Sequence, residues 1–168
     1  MEKAKVSQDF LYKIITENGV NVSMLASMTG LSEQMVNGCF RHNKDMNGNP
    51  RNFPEKSLPR LNAALAELAG QLRQSLITFG SDRAYTNNRG VKYDPACVER
   101  VNGLQRYFKL TKFLNATLGW SQNTKSQILH TPSSKAHGCI SQDDVDLINA
   151  RVLAVAGMLD GIEVVASI

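Results

Sequence analysis

No apolar run in the chain approaches the roughly 20 residues needed to cross a bilayer. The opening residues, MEKAKVSQDF, hold no apolar core of the kind that marks a secretory leader. Cysteine is scarce: Cys39, Cys97 and Cys139 are odd in number, widely spaced, and form no CxxC pair. A disulfide framework is therefore not expected, and a reducing cytoplasm suits the chain. His137 and Cys139 stand two apart, but no further His/Cys cluster completes a metal set. A P-loop, a GxGxxG turn and an HExxH pair are also missing. Cys39 and His42 are near neighbours, yet the cysteine falls on the inward side of its helix and no carboxylate is evident to orient the histidine. A nucleophilic dyad is not expected there. The expectation is a protein without enzymatic activity, cofactor or metal.

What is present is ample apolar material and a divided charge. With 42% hydrophobic residues, the 168-residue chain can build one ordinary core or two small ones. The net charge of +4 permits nucleic-acid binding without demanding it. From Arg83 to Lys135 nine basic residues stand against Asp94 and Glu99. Beyond that, Arg151 is the lone basic residue facing Asp143, Asp144, Asp146, Asp160 and Glu163.

The stretch Val22–Phe40, VSMLASMTGLSEQMVNGCF, reads as two short helices joined by a glycine turn. Leu25 and Ala26 share a face of the first helix, and Gly30 supplies the left-handed residue that ends it. Ser32 caps the second helix, while Leu31, Val36, Cys39 and Phe40 point inward. Glu33, Gln34, Asn37 and Arg41 remain outward. Gln, Asn and Arg on a free helix face can read base edges in a major groove. This stretch resembles the helix-turn-helix of phage-repressor-like (Cro/CI or XRE type) DNA-binding domains.

The resemblance implies an all-α fold and a double-stranded DNA partner, with the second helix of the motif entering the major groove. It places Gln34 and Asn37 on the bases and counts Ser32 and Glu33 among the DNA-binding residues. Gln34 and Asn37 suit adenine, whereas Glu33 suits a cytosine amino group or solvent. The following loop, RHNKDMNGNPRN, carries Arg41, Lys44 and Arg51 where a docked duplex presents phosphates. His42 admits two readings, a DNA contact or an exposed structural histidine. The protein-interaction alternative keeps the helical scaffold without DNA, as in an antitoxin-like or phage accessory partner.

Before this motif, Phe10, Leu11, Ile14 and Ile15 form the apolar stripe of a first helix over Ser7–Glu17, ended by Asn18-Gly19. Lys3, Lys5 and Lys13 offer a phosphate-seeking arm, or more plainly a solvated tail. After the motif, Pro54 or Pro59 opens a long helix with Leu58, Leu61, Leu65, Leu68, Leu72 and Phe79 along one seam. Gly80–Pro95, rich in Gly, Asn and Asp, reads as a linker.

The second half then parallels the first. Leu118-Gly119-Trp120-Ser121 matches Thr29-Gly30-Leu31-Ser32, and Leu114, Ile128 and Leu129 match Leu25, Cys39 and Phe40. The counterpart surface is Ser121, Gln122, Asn123, Ser126, Gln127 and His130, and Trp120 is read as core rather than as a stacking platform. Pro95 opens the preceding helix, with Val98, Val101 and Leu104 inward. Ser141, with Asp143 and Asp144, starts a last helix whose seam is Val145, Ile148, Val152, Val155, Leu159 and Ile162. LNAALAELAGQL and INARVLAVAGML share five of twelve residues without a gap, where composition alone would give about one or two. The expectation is an internal duplication: domains over 1–80 and 95–168, joined by a linker at 81–94. Leu65, Leu68 and Leu72 are expected to pack on Val152, Val155 and Leu159 as an intrachain pseudo-dimer, or else to self-associate. Asn115 in place of Ala26 and Lys125 in place of Val36 depart from the pattern and weaken the second motif.

Overall fold

Serine and glycine set the helix ends. In the computed structural model, which describes residues 2–80, 85–87 and 89–166, the Ser7 hydroxyl accepts from the Phe10 amide and opens α1 (Gln8–Asn18). Gly19, at φ 67°, closes it in the left-handed conformation that costs glycine nothing. Next come α2 (Val22–Thr29), α3 (Glu33–Phe40) and α4 (Leu58–Gln74), with Pro59 in the first turn of α4. Further on lie α5 (Cys97–Gly103), α6 (Leu110–Leu118), α7 (Gln122–Leu129) and α8 (Gln142–Asp160). Among the described residues four short strands accompany them: β1 (Ala4–Val6), β2 (Tyr85–Thr86), β3 (Lys92–Tyr93) and β4 (Ile162–Val164). The protein is mainly helical, with a little sheet that helical periodicity does not reveal.

Two compact units are present, and they do not follow the two halves of the sequence. The first runs to Gln74 and takes in the chain again from Ala154; the second spans Ser75–Leu153. An asparagine clamp lies within each unit. In the first unit Asn62 of α4 holds the backbone of Val164, donating to its carbonyl at 3.0 Å and accepting from its amide at 2.7 Å. In the second, Asn149 of α8 does the same to Ile77, at 2.8 Å in both directions. The segment after each long helix is thus fastened by an asparagine from the other long helix. Both amides are half-buried, so Asn62→Ala and Asn149→Ala each strand two backbone groups. Each is expected to cost about 1–3 kcal/mol in urea denaturation. A midpoint unchanged in both variants would mean that water replaces the clamps.

In the first unit the core joins Leu11 and Ile15 of α1, Leu25 of α2, Val36 and Phe40 of α3, and Leu61, Leu65, Leu68 and Leu72 of α4, all buried. Val155 and Leu159 belong to it too, and Val152 of the second unit is equally buried. Seam residues covered this completely offer no surface to a second copy of the folded chain. β1 and β4 pair in parallel, Ala4 with Ile162 and Val6 with Val164. Lys5 therefore lies within a paired strand and Lys3 just before it, and both are exposed to solvent. Phe10 is 48% exposed, because Leu11, Ile14 and Ile15 already fill the inward face of α1. The seams are shorter than their apolar spacing suggests: α4 stops at Gln74, before Phe79, and α8 stops at Asp160, so Ile162 is a strand residue.

In the second unit the expected linker is partly a hairpin, with Tyr85 facing Tyr93 and Thr86 facing Lys92. Asn87 accepts from the amides of Arg89 and Val91, and Gly90 takes φ 79°; residues 81–84 and 88 of the linker lie outside the described residues. Behind β3, Asp94 is fully buried and accepts from the Gly80 and Ala96 amides, with Arg100 at 3.7 Å. Cys97 and Val101 are the buried residues of α5, while Val98 is only half-buried. Ser141 and Asp144 cap the start of α8 reciprocally, each backbone amide donating to the other's side chain.

Candidate nucleic-acid interface

The turn between α2 and α3 is fixed by two local devices. Gly30 sits at φ 74°, and the Ser32 hydroxyl accepts from the Met35 amide at 3.0 Å. The second unit repeats both: Gly119 sits at φ 73°, and Ser121 accepts from the Thr124 amide at 3.1 Å. In each unit a short helix, a left-handed glycine and a serine-capped helix follow in that order.

Burial of one side of α3 settles what the other side presents. Val36, Cys39 and Phe40 are buried, Leu31 is half-buried, and Glu33, Gln34 and Arg41 are exposed, with Asn37 half-exposed. Ser32 is exposed, but its oxygen is committed to the cap. On α7, Ile128 and Leu129 are buried; Gln122, Asn123, Gln127 and the following His130 are exposed; Ser126 is half-buried. Ser121 serves as the cap and also meets the Thr124 hydroxyl at 3.0 Å. Asn115 does not occupy the inward position of Ala26. It is exposed and donates to the Trp120 carbonyl, so it braces the turn. Lys125 is half-buried, consistent with an apolar stem lying along the surface. Trp120 is likewise half-buried.

The loop after α3 is a built structure. Asp45 accepts from the Asn47 and Asn49 amides, Gly48 turns at φ 78°, and Lys44 bridges Pro50. Arg41, Lys44 and Arg51 are all exposed on it. Arg51 also lies across α3: a Cβ placed on buried Gly38 would stand 3.5 Å from its Nη1. Burial pushes the Cys39 thiol up from its ordinary value, against the pull of the Arg51 charge, which keeps it in the protonated, poorly nucleophilic form.

Three features here have no local signature in the sequence. Gln8 donates to the Cys39 carbonyl at 2.7 Å and accepts from the Phe53 amide at 2.9 Å, tying α1 to both ends of the loop. His42 meets Asp9. Lys56, in the 3-10 turn before α4, and Arg60, in the first turn of α4, border a depression with Leu31 and Met35, which sets two more cations beside the first turn of α3. Helical spacing with basic character is the one available sign of the last pair. Among the described residues no group of three His, Cys, Asp or Glu side chains could hold a metal ion, and no helix is long and apolar enough to cross a membrane. No protein family matches the chain, and neither does any curated protein or solved structure.

Proposed function

We propose that the chain is a cytoplasmic, sequence-specific double-stranded DNA-binding regulator of transcription with two helix-turn-helix units related by internal duplication, and that it is not an enzyme. One observation carries the reading: a glycine-turned, serine-capped helix pair whose second helix keeps a polar face of Gln34, Asn37 and Arg41 toward solvent. Cations at Arg41, Lys44, Lys56 and Arg60 around the same helix suit the phosphates flanking a groove. The matching turn and cap at Gly119 and Ser121, and the matching asparagines at 62 and 149, support the duplication. The second unit has the weaker reading face, since Lys125 takes the place of an inward valine.

Selection from a random duplex library tests this reading, and recovery of no motif would refute it. On the selected site, Gln34→Ala and Asn37→Ala are each expected to cost about 1–3 kcal/mol, with little effect on random duplex. Equal losses on both duplexes would show that these side chains do not read sequence. A helical module that binds a protein partner is the second reading, and it predicts weak dependence of affinity on salt.

A further inference from the structure

The closure of α3 is unusual. Arg41 ends the helix, and the next residue, His42, takes φ 52°. Its amide donates to the Cys39 carbonyl, and the Asn43 amide donates to the Gly38 carbonyl at 2.9 Å. This is the two-bond closure in which the left-handed position ordinarily belongs to glycine. A histidine there is strained, and the surrounding contacts must hold it.

Those contacts come from two directions. Nε2 lies 2.6 Å from an Asp9 carboxylate oxygen on α1, and Nδ1 lies 3.2 Å from the Arg51 carbonyl at the far end of the loop. Both partners are acceptors only. A neutral imidazole has one N–H, so it can satisfy one of them and must turn a lone pair on the other. Imidazolium satisfies both. We propose that His42 is a protonation latch: as imidazolium it bonds through both ring nitrogens and tightens the loop after α3 against α1, and on losing its proton it gives up one of the two bonds and loosens that loop.

Asp9 is the ionised group that acts on the ring, and the Asn52 side chain adds a further hydrogen bond. The neighbouring Val164, Val165 and Ala166 carry no charge. The hydrogen bond to Asp9, foremost among these influences, raises the His42 pKa above its ordinary 6.5. The stabilisation is therefore complete below about pH 6.5 and is lost as pH rises through the higher value of the folded protein. With Gly30 set on Gly119, the positions matching Asp9 and His42 are Val98 and Thr131. The helix-turn-helix geometry thus forms without such a pair, and the latch is particular to the first unit.

Ring-carbon NMR of the full chain, titrated from about pH 5 upward, gives the His42 pKa directly. Amide exchange, expressed as protection over the intrinsic rate, follows the loop at Asn43 and Arg51, whose amides donate to the Gly38 and Asn43 carbonyls. Protection there is expected to fall about tenfold for each unit by which the His42 pKa exceeds 6.5. His42→Asn keeps a residue that tolerates the left-handed backbone and should abolish the pH dependence. Asp9→Asn retains the histidine and should bring its pKa back toward 6.5. A wild-type His42 titrating at or below 6.5 would overturn the latch, as would unchanged pH dependence in His42→Asn. No duplex enters these measurements, so the latch and the DNA reading stand or fall separately.

Discussion

Phe40→Ala is expected to remove about 3–5 kcal/mol of folding stability, read as a shift of the urea midpoint at constant slope. Phe40 is fully buried, stacked on Tyr12 at 5.1 Å and met edge-on by Phe53 at 5.0 Å. Each such aromatic pair contributes about 0.5–1.5 kcal/mol beyond its buried area. The three rings come from α1, from the last residue of α3 and from the end of the loop, so the truncation loosens every element that holds α3 in place. Phe40→Leu retains most of the volume and should cost well under half as much. Against a typical total of about 5–15 kcal/mol, the alanine variant would be marginal at ordinary temperature. A loss below about 1 kcal/mol would show that the neighbouring rings collapse into the space.

The second large effect concerns binding. Alanine at Arg41, Lys44 and Arg51 together is expected to lower the slope of log affinity against log salt by about 2.7, at roughly 0.9 for each phosphate no longer neutralised. Between about 50 and 200 mM salt the wild-type protein would then lose roughly 40-fold more affinity than the triple variant. The loss should be the same on selected and random duplexes, because phosphate pairing carries no sequence information. An unchanged slope would remove the loop from the interface and leave Lys56 and Arg60 as the remaining cations beside α3.

Local chemistry is legible in the sequence. Gly30 and Gly119 announce left-handed turns, and Ser32, Ser121 and Ser141 announce helix starts, because each acts on amides within three residues of itself. The seams of α4 and α8 show through period alone. Pairings distant in sequence do not show. Nothing in three-residue strands reveals that Ala4–Val6 pairs with Ile162–Val164. Asn62 and Asn149 are visible as matching letters of two helices, but not as clamps on backbone far along the chain. The β2–β3 hairpin escapes for another reason. Its Asn87-to-Gly90 turn has recognisable turn residues, and their density is equally that of a linker. A strict register puts Asn115 inward, whereas an amide that can reach the Trp120 carbonyl gains a hydrogen bond by turning out.

The division of the chain into units sets an order of events during synthesis. The ribosome releases α1 through α4 first, yet the unit they belong to lacks Val155, Leu159 and β4 until the end of α8 and the strand beyond it emerge. Everything in Ser75–Leu153 is available earlier, including Ile77 and the Asn149 that secures it. Residues 2–74 are therefore made well before the segment that pairs with β1 and completes their core. The amino-terminal unit cannot be completed from its own leading residues in the vectorial manner usual for multidomain chains; it needs the last turns of α8 and the strand beyond them.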